Sequence, residues 1–557
     1  MDVKDTPKTR YVIGCTFFGR IPTPVVEMQN MMTQSPRQTF THPFFRLDTL
    51  LIRINWATVA AFGLPMLLYW LTLAPTVYNL DSAEFSTAVA TGGIVRATGY
   101  PLSLTIGKLW SLLPIGDIGY RMNLFSAVCG SCTILQVELI MRRLQVSRWA
   151  RLGALGLLAT APYFWSMSLM AEVYTLHTAL MTAVMLSLLW WRDNPTPTQL
   201  ALPVMLMALS MGNHAATSLL VPACIWFVLS VAPRTVLQPR TIIAVIIALL
   251  AGLSIFLYIP IRYAANPIFN YAGHFTADGI FQPINLQQGE NLWWLVTGKS
   301  FAGQMFGYQW NEMGAQFASY GDQLWQAFMG IGIAPALVGA YLLLKRDWRM
   351  GVFLLLIFVA NALFYINYRV VDKNTMFLPT YVVWSIWLAI GYQWVLQQAA
   401  ALKKPQRTKS GGQFVKIFCQ ENLARLVIVG VVLFALAWNW QRVDLSADTS
   451  ARDQAETILA QVEPNAIVLG WWEIIPAVEY LQYVEGARPD VLAINRFLIS
   501  GNDLQTLLQN ELGKRPIYIN EPPRHLSHLL TSTRVGQLFR LDPIEPCTHC
   551  NLPNWRK

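Results

Sequence analysis

The segment 51–85, LIRINWATVAAFGLPMLLYWLTLAPTVYNLDSAEF, sets an apolar run at 51–75 directly before two carboxylates, Asp81 and Glu84. At about 1.5 Å per helical residue such a run crosses the roughly 30 Å hydrocarbon core of a bilayer. The chain therefore emerges from a membrane onto an acidic segment. Further apolar runs fall near 120–141, 151–169, 174–191, 199–211, 215–232, 241–261, 324–344, 350–367, 376–397 and 423–440. The expected fold is an all-α polytopic membrane bundle of about eleven transmembrane helices. The run 199–211 reaches only about 20 Å, so tilt, local thinning or pairing with the next run has to close the gap.

Composition agrees. Of 557 residues, 54% are hydrophobic and 13% charged, about half the charged share of a soluble domain. The net charge of +10 lies between apolar runs and not on one face or in a tail, which argues for membrane topology and against a nucleic-acid partner. Arg142, Arg143, Arg148 and Arg151 share one loop, and Arg192, Arg234 with Arg240, Lys345 with Arg346 and Arg349, and Lys403 to Lys416 fill later alternate loops. The positive-inside rule assigns those loops to the cytoplasm. The opposite face then receives loops 76–119 and 262–323 and everything after about residue 441.

Three parts are expected. Residues 1–45 read as a loose cytoplasmic leader without signal-peptide features, so insertion uses the first span. Residues 46–440 form the transmembrane domain. Residues 441–557 form a small extracytoplasmic α/β domain, because polar helical windows alternate with β-rich runs at 466–469, 491–495 and 517–520, a parallel-sheet pattern. Segment 80–95 reads as an amphipathic helix along the membrane surface, followed by a Gly99-Tyr100-Pro101 turn and an apolar helix at 102–113, re-entrant or a twelfth span. Cys129, Cys132 and Cys224 behave as small hydrophobes. Cys547 and Cys550 read as a disulfide or loose thiols, since His549, His525 and His528 complete no zinc set.

Asp81 and Glu84 are spaced to share a helical face at the membrane boundary. A carboxylate losing hydration there becomes a stronger base, suited to deprotonating an acceptor hydroxyl while a sugar leaves on phosphate. The competing reading is a helix N-cap with a capping-box partner, and spacing alone does not separate the two. Folding the topology back gathers Arg121, Glu172, Tyr174, Asn213, His214, Arg262, Arg369, Asp372 and Lys373 on the same side. Arg121, His214, Arg262 and Lys373 are candidates to hold a lipid-linked phosphate, Arg being favoured for its bidentate fork. For each the alternative is an interfacial or helix-end role. Trp471-Trp472-Glu473 is a sugar-stacking platform or domain core.

Taken in order, Asp81-Ser82-Ala83-Glu84-Phe85, Gly99-Tyr100-Pro101, Arg121-Met122-Asn123-Leu124, Phe164-Trp165, Ala171-Glu172-Val173-Tyr174 and Gly212-Asn213-His214 make a familiar pattern. It continues through Leu257-Tyr258-Ile259-Pro260-Ile261-Arg262, Phe377-Leu378-Pro379, Tyr480-Leu481-Gln482 and Arg488-Pro489-Asp490-Val491. The set resembles an uncharacterised family of multi-span membrane proteins whose animal members include a protein O-mannosyltransferase of the endoplasmic reticulum. The resemblance implies a GT-C-like fold and a polyprenyl-phosphate-linked sugar donor. It also implies Asp81 as the catalytic acid of the first outer loop, Glu84 and Glu172 as its neighbours, and Arg262 as a phosphate ligand. The chain departs from the family at Arg96-Ala97-Thr98, where members commonly read His-Pro-Pro. That removes a possible base or metal ligand and offers Arg96 as a phosphate contact.

The leading expectation is thus an inverting glycosyltransferase with Asp81 as base, which passes a sugar, mannose first, to a hydroxyl of a protein or glycan. No cofactor is required, a divalent metal is possible, and no metal ligands are assigned. The alternatives are a flippase for lipid-linked sugar, which predicts ionisable residues inside spans, chiefly Glu138, and a non-catalytic glycan-binding scaffold. The compact chain without a retention tail favours a bacterial plasma membrane.

Overall fold

Each expected apolar run contains helix in the computed structural model, which describes residues 56–401, 420–522 and 530–544. The leader 1–45, the Cys547 and Cys550 pair, His525, His528 and the basic residues 403–416 lie outside the described residues. Among those described, Ile118–Arg143, Pro239–Ala264, Trp348–Ile366, Lys373–Ala401 and Gln420–Val443 are long and apolar enough to cross a bilayer. Trp56–Leu71, Pro197–Met211 and Ala215–Val231 are shorter apolar helices. The chain is a helical, multi-pass membrane protein.

Two runs differ from expectation. The run 151–169 is broken into Arg148–Ala159 and Pro162–Ser166, because Pro162 has no N–H to continue the first helix. The run 324–344 is split by the positive φ of Met329 (55°) and Gly330 (65°), which separates Trp310–Ala327 from Ile333–Arg346.

Leu378–Ala401 is the central helix, buried at every position from Leu378 through Tyr392. Its neighbour Ile333–Arg346 approaches at backbone distance. A Cβ on Gly339 would lie 1.8 Å from the Trp387 carbonyl oxygen, and one on Gly391 1.8 Å from that of Pro335. Lipid tails are as apolar as leucine, so such close small-residue contact is what drives helix association in a bilayer. Pro239–Leu253 instead turns Ile242, Ile243, Ile246, Ile247 and Leu250 outward, as a lipid-facing helix should. Glu138, the main ionisable residue expected inside a span, accepts from Arg151 Nε at 2.8 Å.

The first outer loop holds two helices after α1 (Trp56–Leu71): α2 (Asp81–Thr91) and α3 (Pro101–Trp110). α2 does not lie amphipathically on the membrane surface. Ser82 through Val89 are all buried, because small residues let it pack on every side, and Ser86, Thr87 and Thr91 satisfy their hydroxyls on carbonyls one turn back. α3 has ten residues and reaches about 15 Å, too short for a twelfth span. α4 (Ile118–Arg143) follows.

The second outer loop forms an antiparallel hairpin, β1 (Gly273–Phe275) with β2 (Phe281–Pro283). The tail builds a sheet from β3 (Ile467–Gly470), β4 (Leu492–Asn495), β5 (Ile517–Ile519), β6 (Leu530–Val535) and β7 (Leu538–Pro543), ordered β4-β3-β5-β7-β6. β3 runs parallel to β4 and β5, and β7 antiparallel to β5 and β6. Helix Ile475–Glu485 lies against α2. Tyr480 Oη accepts from the Gly119 amide at 3.1 Å, and Arg452 joins Glu485 (2.7 Å) to Asp117 (3.5 Å). The α/β layer is thereby seated over the first outer loop.

Candidate active site

α2 opens without a side-chain cap. Leu80 is the N-cap at φ 55°, so neither carboxylate is spent on the helix terminus. Asp81 Oδ1 accepts from Trp472 Nε1 at 2.8 Å, and Glu84 Oε1 accepts from the Arg96 backbone N–H at 2.9 Å. The capping reading of this pair is therefore wrong. Leu80 and Tyr100 (φ 39°) hold left-handed backbone on either side of the acids, a strain of about 1–3 kcal/mol each that surrounding structure has to fix.

Glu172 is brought to the same place by a polar knot. The Asn123 amide donates to the carbonyls of Ala74 (2.9 Å) and Thr76 (2.8 Å), while its oxygen accepts from the Ala171 amide at 2.9 Å. Ser82 Oγ accepts from the same amide at 3.2 Å, and Ser126 Oγ from the Glu172 amide at 3.2 Å. Asn213 extends the knot: it donates to the Val173 carbonyl at 3.2 Å and accepts from the Ser103 hydroxyl. Motifs far apart in sequence are thus one hydrogen-bonded unit.

Burial, reinforced by the Asp372 charge, pushes the Asp81 carboxyl up to about 6 against the opposing pull of the Trp472 indole and Arg96. Burial and then Asp81 raise Glu84 well above its ordinary range. Burial followed by Asp81 and Asp372 does the same to Glu172, and burial raises Asp372. Asp81, Glu84 and Glu172 share one poorly hydrated region with Asp372 at its exposed edge, and they cannot all ionise there. Asp81, held by an indole donor, is the member built to carry charge, and Glu84 and Glu172 hold protons to higher pH.

Arg96 adjoins the acids, and its charge pulls on both Asp81 and Glu84. The Arg96 guanidinium lies 5.4 Å from the Trp472 ring, 5.6 Å from Phe301 and 5.8 Å from Phe497. Lys373, beside Asp372, is buried, bonds Gln316 and Tyr308 Oη (3.2 Å), and sits 4.3 Å from the Tyr308 ring. These partners are neutral, so its charge remains available to an anion.

Other expected ligands are used elsewhere. All three Arg121 nitrogens donate to carbonyls of Ser111, Ile115 and Gly116 at 2.6–2.9 Å, which closes the loop before α4. Arg262 donates to the Gly92 carbonyl at 2.6 Å and reaches that of Thr91 at 3.5 Å; it caps the C-terminus of α2, where a cation suits the helix dipole. His214 accepts from the Ala216 amide at 3.1 Å, and burial pushes it down to about 4. It is neutral, ringed by Tyr100, Tyr174 and His177 at 5.4–6.2 Å. Gly99 (φ 79°) and Tyr100 make the turn, and Pro101 starts α3. Trp471 and Trp472 part company: Trp472 meets Asp81, while Trp471 stacks on Arg496 at 4.0 Å and donates to Glu521. Among the described residues, no group of three or more His, Cys, Asp and Glu is placed to hold a metal ion.

Sequence reasoning missed the roles of Asn123, Ser82 and Trp472. Asn123 carried a signal, because an amide at the head of an apolar run needs partners.

Residues 81–237 match the family model described as Protein O-mannosyl-transferase TMEM260 N-terminal domain, so the resemblance read from the motifs holds. Protein O-mannosyl-transferase tmem260 of Dictyostelium discoideum is 19% identical over 78% of this chain and 56% of its own length. The Mus musculus protein of that name is 25% identical over 37% of this chain and 30% of its own. The chain spans about half the length of the first of these relatives, or less of the second. Both are eukaryotic, which lends the expected bacterial membrane no support. Among solved structures, ArnT from Cupriavidus metallidurans bound to undecaprenyl phosphate aligns at TM-score 0.55, with 11% identity, over 87% of this chain and 97% of that one. Its apo form aligns at 0.51. The fold is the one ArnT has.

Proposed function

We propose, for a chain whose residues 81–237 carry this N-terminal domain, a membrane glycosyltransferase that uses a polyprenyl-phosphate-linked sugar, mannose being the first to test. The acceptor is a hydroxyl on protein or glycan. Its oxygen bonds to the anomeric carbon as the bond from that carbon to the phosphate oxygen breaks. The hydroxyl proton passes to Asp81, the lipid phosphate leaves, and the anomeric configuration inverts. Arg96 and Lys373 offset charge on the departing phosphate, and the cycle requires no metal. In this reading an eleven-span arrangement puts the acids and the α/β layer on the extracytoplasmic face, since the basic loops take the other.

The observation that carries the reading is the Asp81 environment: a poorly hydrated carboxylate beside those of Glu84 and Glu172, yet steadied by the Trp472 indole and the Arg96 charge. The flippase alternative loses its main support, because Glu138 is paired with Arg151. The test supplies purified protein with a panel of labelled polyprenyl-phosphate sugars and hydroxyl acceptors, with and without EDTA. Label transfer that survives EDTA is the expected result. Donor binding without turnover across the panel would replace the enzyme with a carrier or scaffold.

A further inference from the structure

A cavity of about 350 Å³ lies beside the acid site, between the second outer loop and the α/β layer. It is near the lower end of the roughly 300–1,000 Å³ usual for small-ligand pockets. Aromatic rings of Phe269, Tyr271, Phe281 and Tyr483 line it, together with Asn270 and the buried carboxyl of Glu479. A fully apolar partner has no use for a carboxyl there, and a free ion has none for six aromatic side chains. Rings that cover apolar C–H faces, with a carboxyl and an amide for hydroxyls, suit a pyranose.

Its walls continue into the acid site. The Tyr271 hydroxyl donates to Glu479, and its ring lies 5.3 Å from that of Trp472, whose indole holds Asp81. The Tyr271 amide donates to the Ile94 carbonyl at 2.8 Å, and the Ile94 amide to that of Phe269 at 3.1 Å. The strand of chain that follows α2 is therefore shared by both. Burial pushes the Glu479 carboxyl up to about 8, so at neutral pH it keeps a proton and offers both a donor and an acceptor.

We infer that this cavity binds a hexopyranose unit of the acceptor, which makes a glycan or an already glycosylated chain the substrate. The word acceptor rests on the transferase reading, whereas the saccharide site does not. The test measures binding of mannose, glucose and their disaccharides to the full purified chain by titration calorimetry or saturation-transfer NMR, with a Ser/Thr peptide as competitor. Tyr483 is 43% exposed, so Tyr483→Ala removes a wall without threatening the fold. Loss of one stacking ring weakens saccharide binding about tenfold. Glu479→Gln, which keeps size, weakens it several-fold. Absence of saccharide binding, binding indifferent to both cavity variants, or binding by the peptide alone would overturn the inference. Saccharide binding with these sensitivities but no sugar transfer by the wild type would keep the cavity and sink the transferase.

Discussion

Asp81 as a base is useful only when ionised, and burial puts that change near pH 6. A base must be unprotonated, so kcat/KM falls as pH drops below about 6 and levels off above it, where an ordinary aspartate keeps its rate to about pH 4. Trp472→Phe removes the donor that pulls this carboxyl down, so the acid limb moves upward and the plateau rate falls. A limb that does not move would deny Trp472 its part. Asn123→Ala leaves the Ala74 and Thr76 carbonyls without their partner and costs about 1–3 kcal/mol for each group left unsatisfied, the top of the range applying where no water enters; thermal unfolding in detergent checks it. The acids themselves were legible, because spacing and sidedness are local properties. Their partners were not: Trp472 lies 391 residues from Asp81. Nor does a sequence distinguish an arginine that binds phosphate from one that closes a loop, and Arg121 and Arg262 are seen holding backbone carbonyls.

At the scale of elements, the contact of Ile333–Arg346 with Leu378–Ala401 admits no side chain at Gly391. Gly391→Val drives a methyl-bearing carbon into the Pro335 carbonyl, and such overpacking costs about 1–3 kcal/mol or more. Gly430, with nothing within 4 Å of a built Cβ, is the control, and Gly430→Val leaves the melting temperature nearly unchanged. Equal melting of the two variants would contradict the packing described. The helices were readable from apolar runs because each buries its own backbone in lipid. The helix at 81–91 was readable as a helix but not as a buried one, since burial came from the tail: the partner helix Ile475–Glu485 lies almost four hundred residues on. Strands β3, β4 and β5 were visible as short β-rich runs. The hairpins escaped because their strands are short or polar, as in β6 (Leu530–Val535), whose middle residues are exposed.

Across the whole molecule, the account needs the acids, the cavity and the α/β layer on one face and the basic loops on the other. In a chain with Cys15, Cys419, Cys547 and Cys550 replaced by serine, Gly486→Cys is reached by an impermeant thiol reagent from the extracytoplasmic side and Lys345→Cys from the cytoplasmic side. Labelling of both from the same side would invert or break the topology. The central claim is chemical, and the most direct measurement compares wild type with Asp81→Asn for both donor binding and transfer of labelled sugar from a polyprenyl phosphate. The account predicts that the variant, which keeps shape and can still accept from Trp472, binds donor normally and transfers about 10²–10⁴-fold more slowly, the usual worth of a general base. Transfer by Asp81→Asn at the wild-type rate would contradict it.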